Sequence, residues 1–120
     1  MKDLKKMKVG QTKVEVWGMA NLRPEDTGLP MVIWVSEKGN TRHGPRIKVS
    51  TKMGDKIDPK SVLTVTVSDD PAQIGGSLPT KVFDLVKKFI ATNKDVLLGY
   101  WERQLSTKEM LSKLTKVKPK

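Results

Sequence analysis

Four stretches in the first half of the chain have hydrophobic patterns that predict β-strands. Residues 13–17 and 46–50 alternate polar with apolar side chains, which is typical of a strand with one buried face. Residues 31–35 are continuously apolar and rich in β-branched side chains, which predicts a strand buried on both faces or a central strand under a helix. Residues 62–67 alternate valine with threonine. Because short connections separate the four strands, we predict an antiparallel meander.

Prolines and glycines predict where the strands end. Residues 21–30 and 69–79 each contain two prolines and are predicted to be loops, because the residue before a proline is pushed out of the α region. Residues 52–56 are predicted to form a turn, and Gly39 with Asn40 supplies the left-handed positions of another.

The last third of the chain is predicted to be helical. Apolar residues recur at spacings of three and four from Leu78 to Ile90, which gives one broad apolar stripe. Asn93 is predicted to cap a second helical segment, and Ser106 with Glu109 has the pattern of a capping box that opens a short last helix. We therefore predict an α+β fold, in which a four-stranded antiparallel sheet is followed by two or three C-terminal helices packed on one face.

The length of 120 residues suits a single domain. We predict one α+β domain over residues 10–117, preceded by a basic flexible arm at residues 1–9 and followed by a basic tail at residues 118–120. The basic start has no apolar segment behind it and does not predict a secretory signal, and no apolar run approaches the roughly 20 residues of a membrane-spanning helix. We expect a soluble cytoplasmic protein that does not contact membranes.

The composition excludes several kinds of site. The chain has no cysteine, so disulfides and thiolate metal sites are ruled out. His43 is the only histidine, which argues against a zinc site, because zinc prefers nitrogen and sulfur ligands. We expect no metal and no other cofactor.

The net charge points to an acidic partner. The chain has 23 Lys and Arg against 13 Asp and Glu, which gives +10. Residues 37–60 carry seven basic and three acidic groups, and residues 81–120 carry ten and four, so the excess lies in the predicted hairpin and in the C-terminal third. A charge this large attracts nucleic acid or an acidic protein surface. Its sign disfavours mimicry of DNA.

The hairpin around residues 42–52 is the best candidate for the contact surface. Because Ile47 and Val49 are predicted to face the core, the strand sends Arg46 and Lys48 together to the opposite face. The hairpin and the C-terminal third supply the candidate contact residues, which are Arg42, His43, Arg46, Lys48, Lys52, Lys87, Lys88 and Arg103. The competing interpretation is a solvated strand whose lysines prevent unwanted edge pairing.

Other candidate sites have simpler explanations. Catalysis by His43 would need a partner that orients it, and the ring is expected to lie near water in a turn. The acidic pair Asp69 and Asp70 lies in a proline-containing loop, where turn formation explains it without a metal. Trp34 and Trp101 lie in the most apolar runs and are expected in the core, whereas Trp17 is the one expected to be exposed.

The segments MVIWVSEKGNTRHGPRIKVS and LPTKVFDLVKKFIATNKDVLLGYW resemble a small bacterial domain family of unknown function. The resemblance covers roughly residues 28–105, and its most specific element is the run from Leu97 to Trp101. It implies a setting in mobile-element or toxin–antitoxin-like gene neighbourhoods. The family turn holds a Pro-His-x-His arrangement, whereas Pro45 here is followed by Arg46, Ile47 and Lys48. Chemistry based on a histidine pair is therefore not expected.

We predict a small non-enzymatic binding module that contacts nucleic-acid phosphates, DNA or RNA, with little sequence specificity. One alternative is a protein-binding inhibitor, an anti-defence factor of the kind phages and other mobile elements use, or a toxin–antitoxin partner. A second alternative, ranked last, is a metal-independent ribonuclease toxin using Arg42, His43, Arg46 and Lys48. Such toxins usually place helices before the main strands, and this chain has the reverse order.

Overall fold

The computed structural model describes residues 19–39 and 44–118, and within them it shows five strands and three helices. The strands are β1 (Ala20–Leu22), β2 (Met31–Val35), β3 (Arg46–Met53), β4 (Val62–Thr66) and β5 (Gln73–Ile74). The helices are α1 (Pro24–Thr27), α2 (Thr80–Trp101) and α3 (Thr107–Lys113).

The five strands form one antiparallel sheet in the order β1-β2-β3-β4-β5. This confirms the α+β class and the antiparallel meander. The prediction of four strands differs in detail, because β1, α1 and β5 lie in stretches predicted to be loops. β1 and β5 are only three and two residues long and exist through pairing with β2 and β4, so they leave no pattern of their own. The predicted strand at residues 13–17, the arm at residues 1–9 and Trp17 lie outside the described residues.

The sheet has two distinct faces. Leu22, Ile33, Val49 and Leu63 are directly paired across four strands and belong to the hydrophobic core. Helix α2 covers this face with apolar side chains that include Phe89 and Ile90. All five residues of β2 are buried, as its unbroken apolar run predicts. Trp34 and Trp101 are buried too, so neither offers a ring for base stacking.

Helix α2 is longer than predicted and is kinked. The chain is helical from Thr80 to Trp101, and Asn93 lies inside it with non-helical angles (φ −110°, ψ 17°). The predicted break at Asn93 is therefore a kink, and the Asn93 side chain does not cap a new helix. Its amide instead donates to the carbonyl of Phe89 (3.1 Å) and makes two bonds to the backbone of Thr115. The capping box of α3 is confirmed, since Ser106 Oγ accepts from the Glu109 amide at 3.1 Å and Glu109 accepts from the Ser106 amide at 2.8 Å.

The chain after α3 is part of the packed structure. Val117 is buried in the core, and its amide donates to the Thr27 carbonyl at 2.9 Å. Gly28 has φ +83°, and the Val117 backbone passes so close that a Cβ added at Gly28 would lie 2.0 Å from the Val117 carbonyl oxygen. Lys118 is exposed, and residues 119–120 of the predicted tail lie outside the described part. The single-domain boundaries stay a prediction.

Candidate functional site

Arg46 and Lys48 share the face of the sheet that α2 does not cover. The strand alternates as predicted, with Ile47 and Val49 in the core and the two basic residues on the other side. Both basic residues are half-buried, so they are not fully solvated as the competing interpretation of this strand assumes. Because side chains two apart on a strand are about 7 Å apart along it, the two cations can address one anionic group or two adjacent ones.

The Arg46 guanidinium contains a buried donor with no acceptor. Its Nε atom is buried and makes no hydrogen bond, and it is the one side-chain atom of this kind among the described residues. Leaving a buried donor unsatisfied costs about 1–3 kcal/mol. Native structures seldom keep such a group unless a ligand, ion or water satisfies it. The Nε–H of Arg46 is therefore the strongest local sign of a binding site.

Lys48 lies beside this donor on the same face. In the sheet it is paired with Trp34 on one side and with Thr64 on the other, and its ammonium donates to the Thr64 hydroxyl at 3.0 Å. Thr66, which is paired with Arg46, has a hydroxyl that accepts from the Ala72 amide at 2.9 Å. The strand neighbours of Arg46 on this face therefore include a second cation and the Thr66 hydroxyl.

The remaining candidate lysines are not brought to this face. Lys52, at the end of β3, is 3.7 Å from the Asp58 carboxylate. Lys87 and Lys88 project from α2, which packs on the opposite face of the sheet. Lys87 lies 3.7 Å from Asp84 and 5.0 Å from the centroid of the Phe83 ring, whereas Lys88 is exposed. The predicted residues therefore form at least two separate surfaces.

Arg103 closes the C-terminus of α2 in a conformation that normally favours glycine. Its φ is +64°, and its amide donates to the Tyr100 carbonyl at 3.0 Å while the Gln104 amide donates to the Gly99 carbonyl at 2.8 Å. These two bonds define a Schellman motif. Outside glycine this conformation costs roughly 1–2 kcal/mol, so its presence in an arginine calls for a compensating interaction.

The compensation comes from the chain that leaves β2. The Arg103 guanidinium donates to the Lys38 carbonyl at 3.2 Å and lies 3.8 Å from Glu37. Lys38 in turn contacts the end of α2: its ammonium binds Glu102 at 2.8 Å, and its amide donates to the Trp101 carbonyl at 2.8 Å. Arg103 therefore acts first as an anchor that holds the start of the β2–β3 connection against α2.

We expect Arg103→Gly and Arg103→Ala to differ in stability although both remove the guanidinium. Glycine relieves the left-handed strain and alanine does not, so Arg103→Gly should be the more stable by about 1 kcal/mol. Chemical denaturation of the two variants measures this difference directly. Equal stabilities would show that the backbone at this position is not strained.

A cleft of about 350 Å³ lies between the β4–β5 turn and α2. It is lined by Ser68, Asp69, Asp70, Pro71, Lys87, Ala91 and Lys94. Lys94 forms an ion pair with Asp69, and its hydrogen bond lowers the pKa of that carboxyl. Lys94 thus offsets the charge of Asp69 within the cleft. The described residues contain no cluster of three or more potential metal-ligating His, Cys, Asp or Glu side chains.

The sequence did not predict that Arg103 acts as an anchor or that the Nε–H of Arg46 is buried without an acceptor. Two of its predictions fall on residues that the structure does not describe. Lys38 and Glu102 lie 64 residues apart, so no local pattern reveals their contact. A missing hydrogen bond at Arg46 Nε depends on its surroundings in three dimensions and has no sequence signal. Arg42 and His43 lie outside the described residues, and their roles stay predictions.

A comparison of the chain with protein-family models, curated proteins and solved structures found no match. The resemblance to a bacterial domain family therefore stays a prediction. The described helices include none with the length and apolar character needed to cross a membrane.

Proposed function

We propose that this protein is a small non-enzymatic basic module that binds nucleic-acid phosphates through Arg46 and Lys48. The observation that carries the proposal is the buried, unpartnered Nε–H of Arg46 beside a second cation. Because the Nε atom is covered in the free protein, a phosphate oxygen would reach it after the half-buried side chain shifts outward, and guanidinium groups bind phosphates in a planar, two-pronged geometry. The net charge of +10 supports the same partner, because it attracts a polyanion from a distance.

Phosphate contacts would give the module affinity with little base discrimination. Contacts to the backbone of the nucleic acid fix position and carry no sequence information. If about five Lys or Arg side chains contact phosphates, log K against log salt has a slope near −4.5 on duplex DNA.

Arg46→Met tests the proposal, because methionine keeps much of the apolar stem and removes the orphan donor. We expect it to weaken binding to a short duplex DNA at low salt about tenfold and to bring the slope about 0.9 closer to zero. It should leave the free energy of unfolding unchanged or raise it, since the unsatisfied group is gone. Fluorescence anisotropy at several salt concentrations and chemical denaturation give the two readouts.

Lys81→Met is the matched control, because Lys81 is an exposed cation on α2 away from the Arg46 face. We expect it to change affinity by less than about twofold. Three results would overturn the proposal: equal effects of the two substitutions, a wild-type slope near zero, or no retention of wild type on DNA at low salt. A stoichiometric protein that co-purifies despite nuclease treatment, with no DNA binding, would instead support the protein-binding alternative.

A further inference from the structure

The connection between β3 and β4 exposes two large apolar side chains at one end of the sheet. We call residues 51–60 the β3–β4 tip. Among the described residues four large apolar side chains are exposed, namely Met53, Ile57, Ile74 and Leu111. Met53 and Ile57 both belong to the tip and are 41% and 44% exposed. The tip is thus the one place in the described chain where two of them lie within four residues of each other.

A β-bulge turns the end of β3 away from the core. Ile33 pairs with Val49, but Met31 pairs with Met53, so β3 contains two more residues than β2 between these pairs. The buried Ser50 hydroxyl stabilises the bulge, because it accepts from the Lys52 amide at 3.0 Å and donates to the Lys52 carbonyl at 3.1 Å. β3 therefore runs on to Met53, where a turn at residues 52–56 was predicted. Bulges of this kind redirect the side chains that follow them.

Hydrogen bonds hold the tip in one shape. Asp58 accepts from the Lys60 amide and from the Ser61 hydroxyl, both at 3.0 Å, and these bonds lower the pKa of its carboxyl. The Gly54 amide donates to the Pro30 carbonyl at 2.7 Å, and Arg23 lies 3.3 Å from Asp55. These contacts therefore hold in place the loop that carries Met53 and Ile57.

Lysines lie on both sides of the exposed apolar pair. Lys52 is partly neutralised by Asp58 at 3.7 Å. Lys56 and Lys60 are exposed and form no ion pair within the described part of the chain. An apolar pair with cations on either side complements a partner that has phosphates around an apolar interior.

We propose that the β3–β4 tip inserts Ile57, supported by Met53, as an apolar wedge between base pairs of duplex DNA, with Lys56 and Lys60 on the flanking phosphates. This inference rests on the proposed function and names duplex DNA as its target. Isoleucine and methionine are among the side chains that proteins insert between base steps from the minor groove. A membrane surface fits less well, because interfacial anchors are mainly Trp and Tyr, and the large exposed apolar residues described include no aromatic one.

The test compares two probes, a short intact duplex DNA and the same duplex with a single-nucleotide gap. Inserting a wedge into intact DNA costs a few kcal/mol of base unstacking, and the gap removes much of that cost. Wild type should therefore bind the gapped duplex about tenfold tighter, which corresponds to about 1.4 kcal/mol. Ile57→Ser should reduce the preference to less than about twofold. Leu111→Ser, which removes a side chain of similar exposure on α3, should leave the preference intact.

The outcomes separate this inference from the proposed function. Failure of wild type to bind either duplex would overturn both. Binding without a preference for the gap, or equal effects of Ile57→Ser and Leu111→Ser, would overturn the wedge and leave the phosphate-binding proposal standing. Sedimentation with vesicles of anionic lipid that Ile57→Ser abolishes, in the absence of a preference for gapped DNA, would show that the tip contacts a membrane surface instead.

Discussion

Gly28→Ala is expected to lower the free energy of unfolding by roughly 3.5–6 kcal/mol, a large share of the stability of a small domain. The methyl group would meet the Val117 carbonyl oxygen at 2.0 Å, so the C-terminal segment would have to move. That movement breaks the bond from the Val117 amide to Thr27, worth about 1 kcal/mol, and exposes a buried valine, worth about 1.5–3 kcal/mol. The φ of +83° adds strain of roughly 1–2 kcal/mol for any residue with a Cβ. Urea denaturation measures the total.

Gly75→Ala separates the strain from the collision. Gly75 has nearly the same backbone angle, φ +86°, but open space where its Cβ would lie. We expect Gly75→Ala to cost about 1–2 kcal/mol, so the difference between the two variants reports the contact with Val117 alone. Equal costs would show that the C-terminal segment does not lie against Gly28.

Asn93→Ala is expected to cost about 2–4 kcal/mol, although alanine is the better helix former. The Asn93 side chain is buried and makes three bonds, donating to the carbonyls of Phe89 and Thr115 and accepting from the Thr115 amide at 2.7 Å. Substitution leaves the Thr115 amide and carbonyl without these partners at the edge of the core. The same denaturation experiment measures the loss.

Thr92→Ala is the control for Asn93→Ala, because Thr92 is exposed on the same turn of α2. We expect it to change stability by less than about 0.5 kcal/mol. In a chain that ends at Leu114, Asn93→Ala should cost about 1–2 kcal/mol less than in the full chain, since the Thr115 partners are gone. An unchanged cost in the shortened chain would contradict the proposed coupling between α2 and the C-terminal segment.

The long strands and helices could be predicted because each buries its own repeating pattern. The alternation at residues 46–50 placed Arg46 and Lys48 on one face, and the apolar run at residues 31–35 predicted a fully buried strand. The pattern could not predict β1 and β5, whose few residues are strands only because neighbouring strands pair with them.

The other wrong predictions concern residues whose side chains can take either of two local structural roles. Asparagine before Lys94 and Asp95 has the composition of an N-cap, yet tertiary contact with Thr115 holds Asn93 within a kinked helix. Ser50 looked like an ordinary strand residue and instead stabilises a bulge that carries β3 to Met53. Asn93 is held by a residue 22 positions away along the chain, and Ser50 is held by the backbone of Lys52. Hydrophobic periodicity contains no information about either contact.

The same contrast between local pattern and tertiary contact applies to the candidate site. Sequence alone selected Arg46 and Lys48, because strand register depends on local alternation. It also grouped Arg103 with them on charge, whereas the Arg103 side chain binds the backbone of Lys38 and the Arg103 backbone is left-handed just after the C-cap of α2. The charge count therefore predicts attraction to a polyanion, but it does not distinguish the residues proposed to bind phosphates from a residue that anchors the fold.

The most direct test of the phosphate-binding proposal observes the Arg46 Nε–H group itself. The chain has four arginines, so a nitrogen-resolved NMR spectrum of their Nε–H groups, assigned with Arg46→Met, follows each one separately. On addition of a short duplex DNA at low salt, we predict that the Arg46 signal shifts and its hydrogen exchange slows, while Arg103, already held by the Lys38 carbonyl and Glu37, changes little. A complex in which the Arg46 signal stays unchanged would contradict the account.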